Sequence, residues 1–517
     1  MPAIVTDQFR ILNASNFVDS VSDSTNSYYV FVGLSNPIAT AGSPQRDANW
    51  NTDTPNPDDS FDYSSFVSEN ITFGKRANED NVRRVVRRID WSRGTRYEMY
   101  RHDYSLENPS PITKSARLYD TNYYVMNADY KVYVCIDNGS SGIQTSGNAS
   151  LDEPTSTDLE PSAAGNSGDG YLWKYLFTVK PSDIIKFDST EYISLPNNWS
   201  TSTDAQITAV RDNGDSDENS NQIKKVYIEN QGASYTDVNQ VELPILGDGT
   251  DGKVVVTISG GKVTEATISA GGSGYTFGMV DLGVYQPSTI STPAHLIPII
   301  PPSRGHGYDI YKELGADRVL VYARFDDSVK DFPTDTVFSQ IGIVKDPTEY
   351  SSTDKFTANQ FSALGALKLE MDTTATPDVG DRITQVVTGG TARGIVASYD
   401  TETKVLKYFQ ERSSHFNQTN RNQSDYSAVS STARVFDFES STAAITNGSY
   451  SVSIDTGFTG IQTTISNKII SLDASFTNGV ANPEINKKTG EIIYIDNRPA
   501  ITRSTRQKED VKIILEF

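Results

Sequence analysis

Short runs of alternating residues constrain this chain more than any other feature. Val, Ile, Tyr, Thr and Phe alternate with polar residues, and Gly, Asn, Asp and Pro divide the runs. That period of two puts one set of side chains on each face of a strand. Tyr28 to Gly33, Lys131 to Ile136 and Val319 to Phe325 are clear cases. Helical spacing is rare. Val82, Val85, Val86 and Ile89 fit i, i+3, i+4 and i+7, which predicts a helix there with Arg83, Arg84, Arg87 and Arg88 on its other face. A second short helix is expected near Val5 to Asn16. The expected fold is therefore mainly β with a few short helices. At 517 residues the chain has room for about three or four domains. Its 27 Tyr and 21 Phe argue against disorder, because disordered chains lack aromatic residues.

Charge and motif content exclude several functions. The formal net charge of −21 repels nucleic acid phosphates and anionic membranes, so neither is expected as a partner. Cys135 is the single cysteine, which rules out an internal disulfide framework and a cysteine zinc site. It lies in an apolar run, where cysteine behaves as a small hydrophobe. The four histidines, His102, His295, His306 and His415, show no H-x-x-x-H pair. There is no G-x-S-x-G elbow and no phosphate-binding G-x-x-x-x-G-K-[ST] loop. The acidic run Asp212, Asp215, Asp217 and Glu218 misses the spacing of a calcium loop and reads as a solvated linker. No enzymatic activity, catalytic residue, cofactor, metal or small-molecule substrate is expected. Met1 to Thr6 carries no basic or apolar leader pattern, and no run of about 18 apolar residues exists, so neither a signal peptide nor a spanning helix is expected.

The chain divides by composition. Residues 138–170 are polar and read as a long surface loop, and 212–221 as a linker. A repeat follows at an offset of 40 residues: Ile223 to Thr236 (IKKVYIENQGASYT) and Val263 to Thr276 (VTEATISAGGSGYT). Ile228 matches Ile268, Gly232 matches Gly272, and Tyr235 matches Tyr275. Each copy reads as a strand, a glycine turn and an aromatic that covers the turn. Two copies suit one small β-domain rather than a solenoid. Residues near 372–450 form another β-rich insert, with a hairpin loop of four residues at Asp400 to Thr403 and a loop-like stretch at 411–432. Asp496-Asn497-Arg498-Pro499 is expected to be a turn whose proline stops the preceding strand.

Two clusters are candidates for contact with other proteins. Arg83, Arg84, Arg87 and Arg88, followed by Arg93, Arg96 and Arg101, form the one basic concentration, suited either to docking an acidic partner or phosphate or to a solvated helix face with ion pairs to this acidic chain. Tyr171, Trp173, Tyr175 and Phe177 line one face of a strand whose other face carries Leu172 and Leu176. A strand apolar on both faces belongs between two layers or at a subunit interface.

Blocks kept in order resemble a known family, the dimeric baseplate wedge subunits of T-even-type contractile-tailed phages. They are Ala3-Ile4-Val5-Thr6 with Phe9-Arg10; Ile89-Asp90-Trp91 with Thr95-Arg96-Tyr97; Tyr133 to Asp137; Gly168 to Phe177, the most specific; Thr190 to Ile193 with Pro196; Phe338 to Pro347; Ile493 to Pro499; and Ile513 to Phe517. They cover roughly residues 1–200, 300–370 and 470–517. This chain is longer than the family by the two β-rich inserts. The resemblance implies a discontinuous, β-sandwich-like core (1–205, 299–371 and 466–517) carrying two small inserted β-domains (206–298 and 372–465). It also implies a structural role in the virion, in a tail baseplate assembled in the host cytoplasm. The partners would be a second copy of the chain and other wedge proteins. The subunit would move as a rigid body that exchanges contacts when the baseplate switches shape. The competing reading from composition is a tail fibre or spike that binds or cleaves host-surface glycans.

Overall fold

The structure, a computed structural model, describes residues 5–34, 50–57, 64, 67–68, 70–216, 220–283, 285, 290–326, 338–410, 436–501 and 508–517. The molecule is mainly β, built from antiparallel sheets with a few helices. It comprises two compact units, each gathered from separate stretches of chain: residues 1–18, 83–320 and 514–517, and residues 19–82 and 321–513.

In the first unit, the strand Lys131–Asn138 pairs with Tyr124–Met126 on one side and Tyr171–Thr178 on the other. The Gly168-Asp169-Gly170 turn feeds the last of these. Both glycines have positive φ, and the Asp169 carboxylate accepts from the Tyr171 and Leu151 amides. The stretch 138–170 is more ordered than a surface loop, since Ser162–Ala163 adds a short fourth strand beside Trp173 and Leu172. The helix expected from Val82 to Ile89 is instead the strand Val82–Arg87, paired with Tyr192–Ser194. Three β-branched valines favour a strand, and this one buries Val82, Arg84, Val85 and Val86, so neither face was free to take a helical stripe. The N-terminal helix is present as Asp7–Ser22. Ala205–Gly214 is a helix capped by Asp204, whose carboxylate accepts from the Gln206 and Ile207 amides. Its Ile207 and Val210 pack into the core formed around Tyr133 and Trp173. The expected linker at 212–221 therefore begins inside a helix, and residues 217–219 lie outside the described residues.

The repeat forms a second core in this unit, from Ile223 to Ile300. Equivalent residues of the two copies bond reciprocally. The Ile223 amide donates to the Gly271 carbonyl, and the Val263 amide to that of Gln231. The Tyr235 amide donates to Gly261, and the Tyr275 amide to Asn221. Asn221 and Gly261, Gly232 and Gly272, and Ser234 and Gly274 all take positive φ. The two copies thus repeat one backbone conformation about a local pseudo-twofold. The tyrosines cover the turns: a Cβ on Gly232 would lie 2.6 Å from the Tyr235 ring, and one on Gly272 2.7 Å from the Tyr275 ring.

The second unit holds a five-stranded sheet in the order Gln360–Ser362, Ile71–Ala77, Tyr28–Leu34, Phe338–Lys345, Glu491–Ile501. Tyr29 and Phe31 lie fully buried in the core on this sheet. The expected turn at Asp496 to Pro499 is instead part of the Glu491–Ile501 strand. This is the sheet's edge strand, where proline costs no ladder bond, and the register shifts beside it, between Phe338 and Gln340. A seven-stranded sheet is built around Arg382–Val387, Gly390–Asp400 and Val405–Phe409, with its own core. The hairpin loop at 400–403 is present one residue later, because Asp400 pairs with Val405. Residues 411–432 lie outside the described residues. Gly460–Ile465 and Lys468–Phe476 form a separate two-stranded hairpin, turned at Ser466 and Asn467 with positive φ at both.

Candidate functional site

The arginine cluster is engaged within the chain and does not form an open docking face. Arg83 makes a bidentate pair with Asp183, at 3.0 Å from both Nε and Nη2. Asp183 sits buried in the helix Pro181–Phe187. Arg84 is buried with its guanidinium 3.9 Å over the Tyr311 ring. Arg87 donates to the Thr121 carbonyl and the Asn122 side chain, and Arg88 pairs with Asp90 and Asp188. Ion pairs within the chain hold Arg83 and Arg88, a tyrosine ring covers Arg84, and neutral acceptors take Arg87. The strand geometry explains it: successive arginines project to opposite faces, and partners wait on both.

The aromatic strand is likewise interior. Tyr171, Trp173, Tyr175 and Phe177 are each at most 2% exposed. Tyr171 and Trp173 stack at 5.3 Å, and Tyr97 meets both rings edge-on. The Tyr171 hydroxyl donates to the Asn148 carbonyl and accepts from the Tyr97 amide. Burial pushes its ionisation upward. These side chains are core, not a contact surface on the chain as it stands. Cys135 is also buried. Its thiol donates to the Asp137 carbonyl, and burial pushes it well above the usual thiol range.

Between the aromatics of the same strand lies a polar cluster that sequence reasoning missed. Lys174 is 4% exposed. Its ammonium donates to the Leu159 carbonyl and, at 2.8 Å, to Asn213 Oδ1 on the helix Ala205–Gly214. Asn213 Nδ2 donates at 3.0 Å to Glu160 Oε1, and Lys224 pairs with Glu160 Oε2 at 3.0 Å. Burial lowers Lys174 to about 8, partly countered by the Glu160 and Glu313 charges. The Asn213 and Lys224 hydrogen bonds hold Glu160 below the usual carboxylate range despite partial burial. Glu160, Lys174, Lys224 and His306 line a cleft with room for about one water molecule, about 10 Å³. His306 Nδ1 lies 2.7 Å from Glu313 Oε1, and Glu313 Oε2 accepts from the Gly307 amide. Lys174 sits at the centre of the resemblance's strongest block, but its partners are scattered along the sequence, and no spacing signal links them.

The surfaces that present apolar side chains lie elsewhere. Phe9 and Leu12, one turn apart on the N-terminal helix, and Val5 just before it are each about half exposed. In the second unit, the hairpin Gly460–Phe476 exposes Ile461 and, at 72%, Ile469. Its two strands pair only with each other among the described residues. Among the described residues there is no group of three or more His, Cys, Asp or Glu placed to hold a metal, and no helix long and apolar enough to cross a membrane. No protein-family model matches this chain, and no curated protein matches it.

Proposed function

We propose that the chain is a structural component of a contractile-tail baseplate wedge. In this reading it joins a second copy of itself and neighbouring wedge proteins, and performs no chemistry on a substrate. The ordered series of blocks from Ala3 to Phe517 supports the assignment, with Gly168 to Phe177 weighing most. The observation that carries an assembly role is the Gly460–Phe476 hairpin. A two-stranded ribbon is marginal alone, and this one displays isoleucines and outer strand edges that another chain can cover. The segment from Gly460 to Leu472 contains no Asp or Glu, although the chain carries 66 acidic residues. A net charge of −21 repels acidic neighbours, so a stretch that carries Lys468 and no carboxylate is where contact costs least.

The test is co-purification of the tagged chain with the other tail components expressed beside it. The wedge reading expects a stable complex that survives moderate salt, since its contacts are apolar. Failure to join any tail component, together with selective binding on a glycan array, would favour a host-binding tail protein instead.

A further inference from the structure

We propose that Lys174 and Asn213 form an intramolecular isopeptide bond, with Glu160 as the proton carrier. Such a bond needs an amine, a side-chain amide and a carboxyl group in register, with the amine held out of water. All three are present. The Lys174 nitrogen donates to Asn213 Oδ1 at 2.8 Å, on the amide that it would attack, and the amide's own NH₂ group donates to Glu160 at 3.0 Å. This fixed placement replaces a bimolecular encounter, which is the largest obstacle to amide exchange at neutral pH. Lys174 is 4% exposed, and desolvation favours the neutral, nucleophilic amine.

The atoms balance without any co-reactant. The Lys174 amine attacks Asn213 Cγ, and the Nζ–Cγ bond forms. The proton released from Nζ passes to Asn213 Oδ1, to which Nζ already donates, and reaches Nδ2 by way of the Glu160 carboxylate, which accepts from that nitrogen. The Cγ–Nδ2 bond breaks, and Nδ2 leaves as ammonia. Lys224, paired with the other Glu160 oxygen, holds the carboxylate in position and acts as a positioning residue. The product ties the strand Tyr171–Thr178 to the helix Ala205–Gly214 within one unit. A bond of this kind resists reduction and pulling, which suits a subunit of a machine that transmits force.

Intact-mass spectrometry of the purified full chain tests this. The expected mass is short by one ammonia, and protease digestion yields a branched peptide joining the segments around Lys174 and Asn213. A succinimide at Asn213-Gly214 has the same mass deficit but gives only linear peptides and is opened by hydroxylamine. Glu160→Gln is the decisive variant, because the Glu160 side chain is 52% exposed and its replacement leaves the core intact. It should recover the full mass, as should Asn213→Ala. A wild-type chain of full mass, or a deficit carried only by linear peptides, would overturn the proposal.

Discussion

Asp248 shows how one exposed side chain organises a turn. Its carboxylate accepts from the Thr276 and Phe277 amides at 2.9 and 3.0 Å and from the Thr276 hydroxyl. These bonds favour the charged form and lower the group to about 2. Its contribution to stability is therefore complete above the ordinary aspartate value near 4 and is lost as pH falls from there through about 2. An NMR titration should find this low value, and Asp248→Ala should remove the corresponding pH dependence of urea unfolding. Tyr275 is a second such point. Its buried hydroxyl accepts from the Gly252 amide and donates to the Ile245 carbonyl, so Tyr275→Phe should cost about 1–3 kcal/mol in chemical denaturation. The tyrosine over a glycine turn was legible from sequence, because the motif recurs in both copies at one spacing. The arginines were not. Arg83 finds Asp183 a hundred positions away, and no local pattern announces that pair. Arg83→Ala leaves Asp183 buried without its partner and should destabilise the isolated chain by about 3 kcal/mol in a urea melt, whereas a residue kept for docking would leave that melt unchanged.

At the scale of elements, alternation was the dependable signal. The strands at Tyr28, Lys131, Tyr171 and Val319 follow from it, and so does the mainly β class. Two of the misreadings turn on where a strand lies in its sheet. Val82, Val85 and Val86 satisfy a helical period and a strand buried on both faces equally well over so short a run, and only the partner strand Tyr192–Ser194 decides between them. Pro499 reads as a stop until the strand is known to lie at a sheet edge. The polar cluster at Lys174 was invisible for a similar reason: its parts come from a strand, a helix and an irregular segment. The Gly460–Phe476 hairpin carries the clearest prediction at this level. Ile461→Lys and Ile469→Lys replace exposed side chains, so each should change unfolding free energy by no more than about 0.5 kcal/mol. Each should still weaken association in sedimentation experiments. Unchanged association would remove the hairpin from the contact surface.

For the whole molecule, the account rests on a chain made for assembly. In that proposal the net charge of −21 disfavours contact between copies except at the carboxylate-free stretch Gly460 to Leu472. The core on the five-stranded sheet is gathered from separate stretches of chain, around Tyr29, Ile71, Val344 and Ile485. The most direct measurement is the solution mass of the purified full-length chain by light scattering. The account predicts a dimer near twice 56.7 kDa, with larger species appearing only when other tail components are added. A stable trimer would contradict it and point to a fibre or spike.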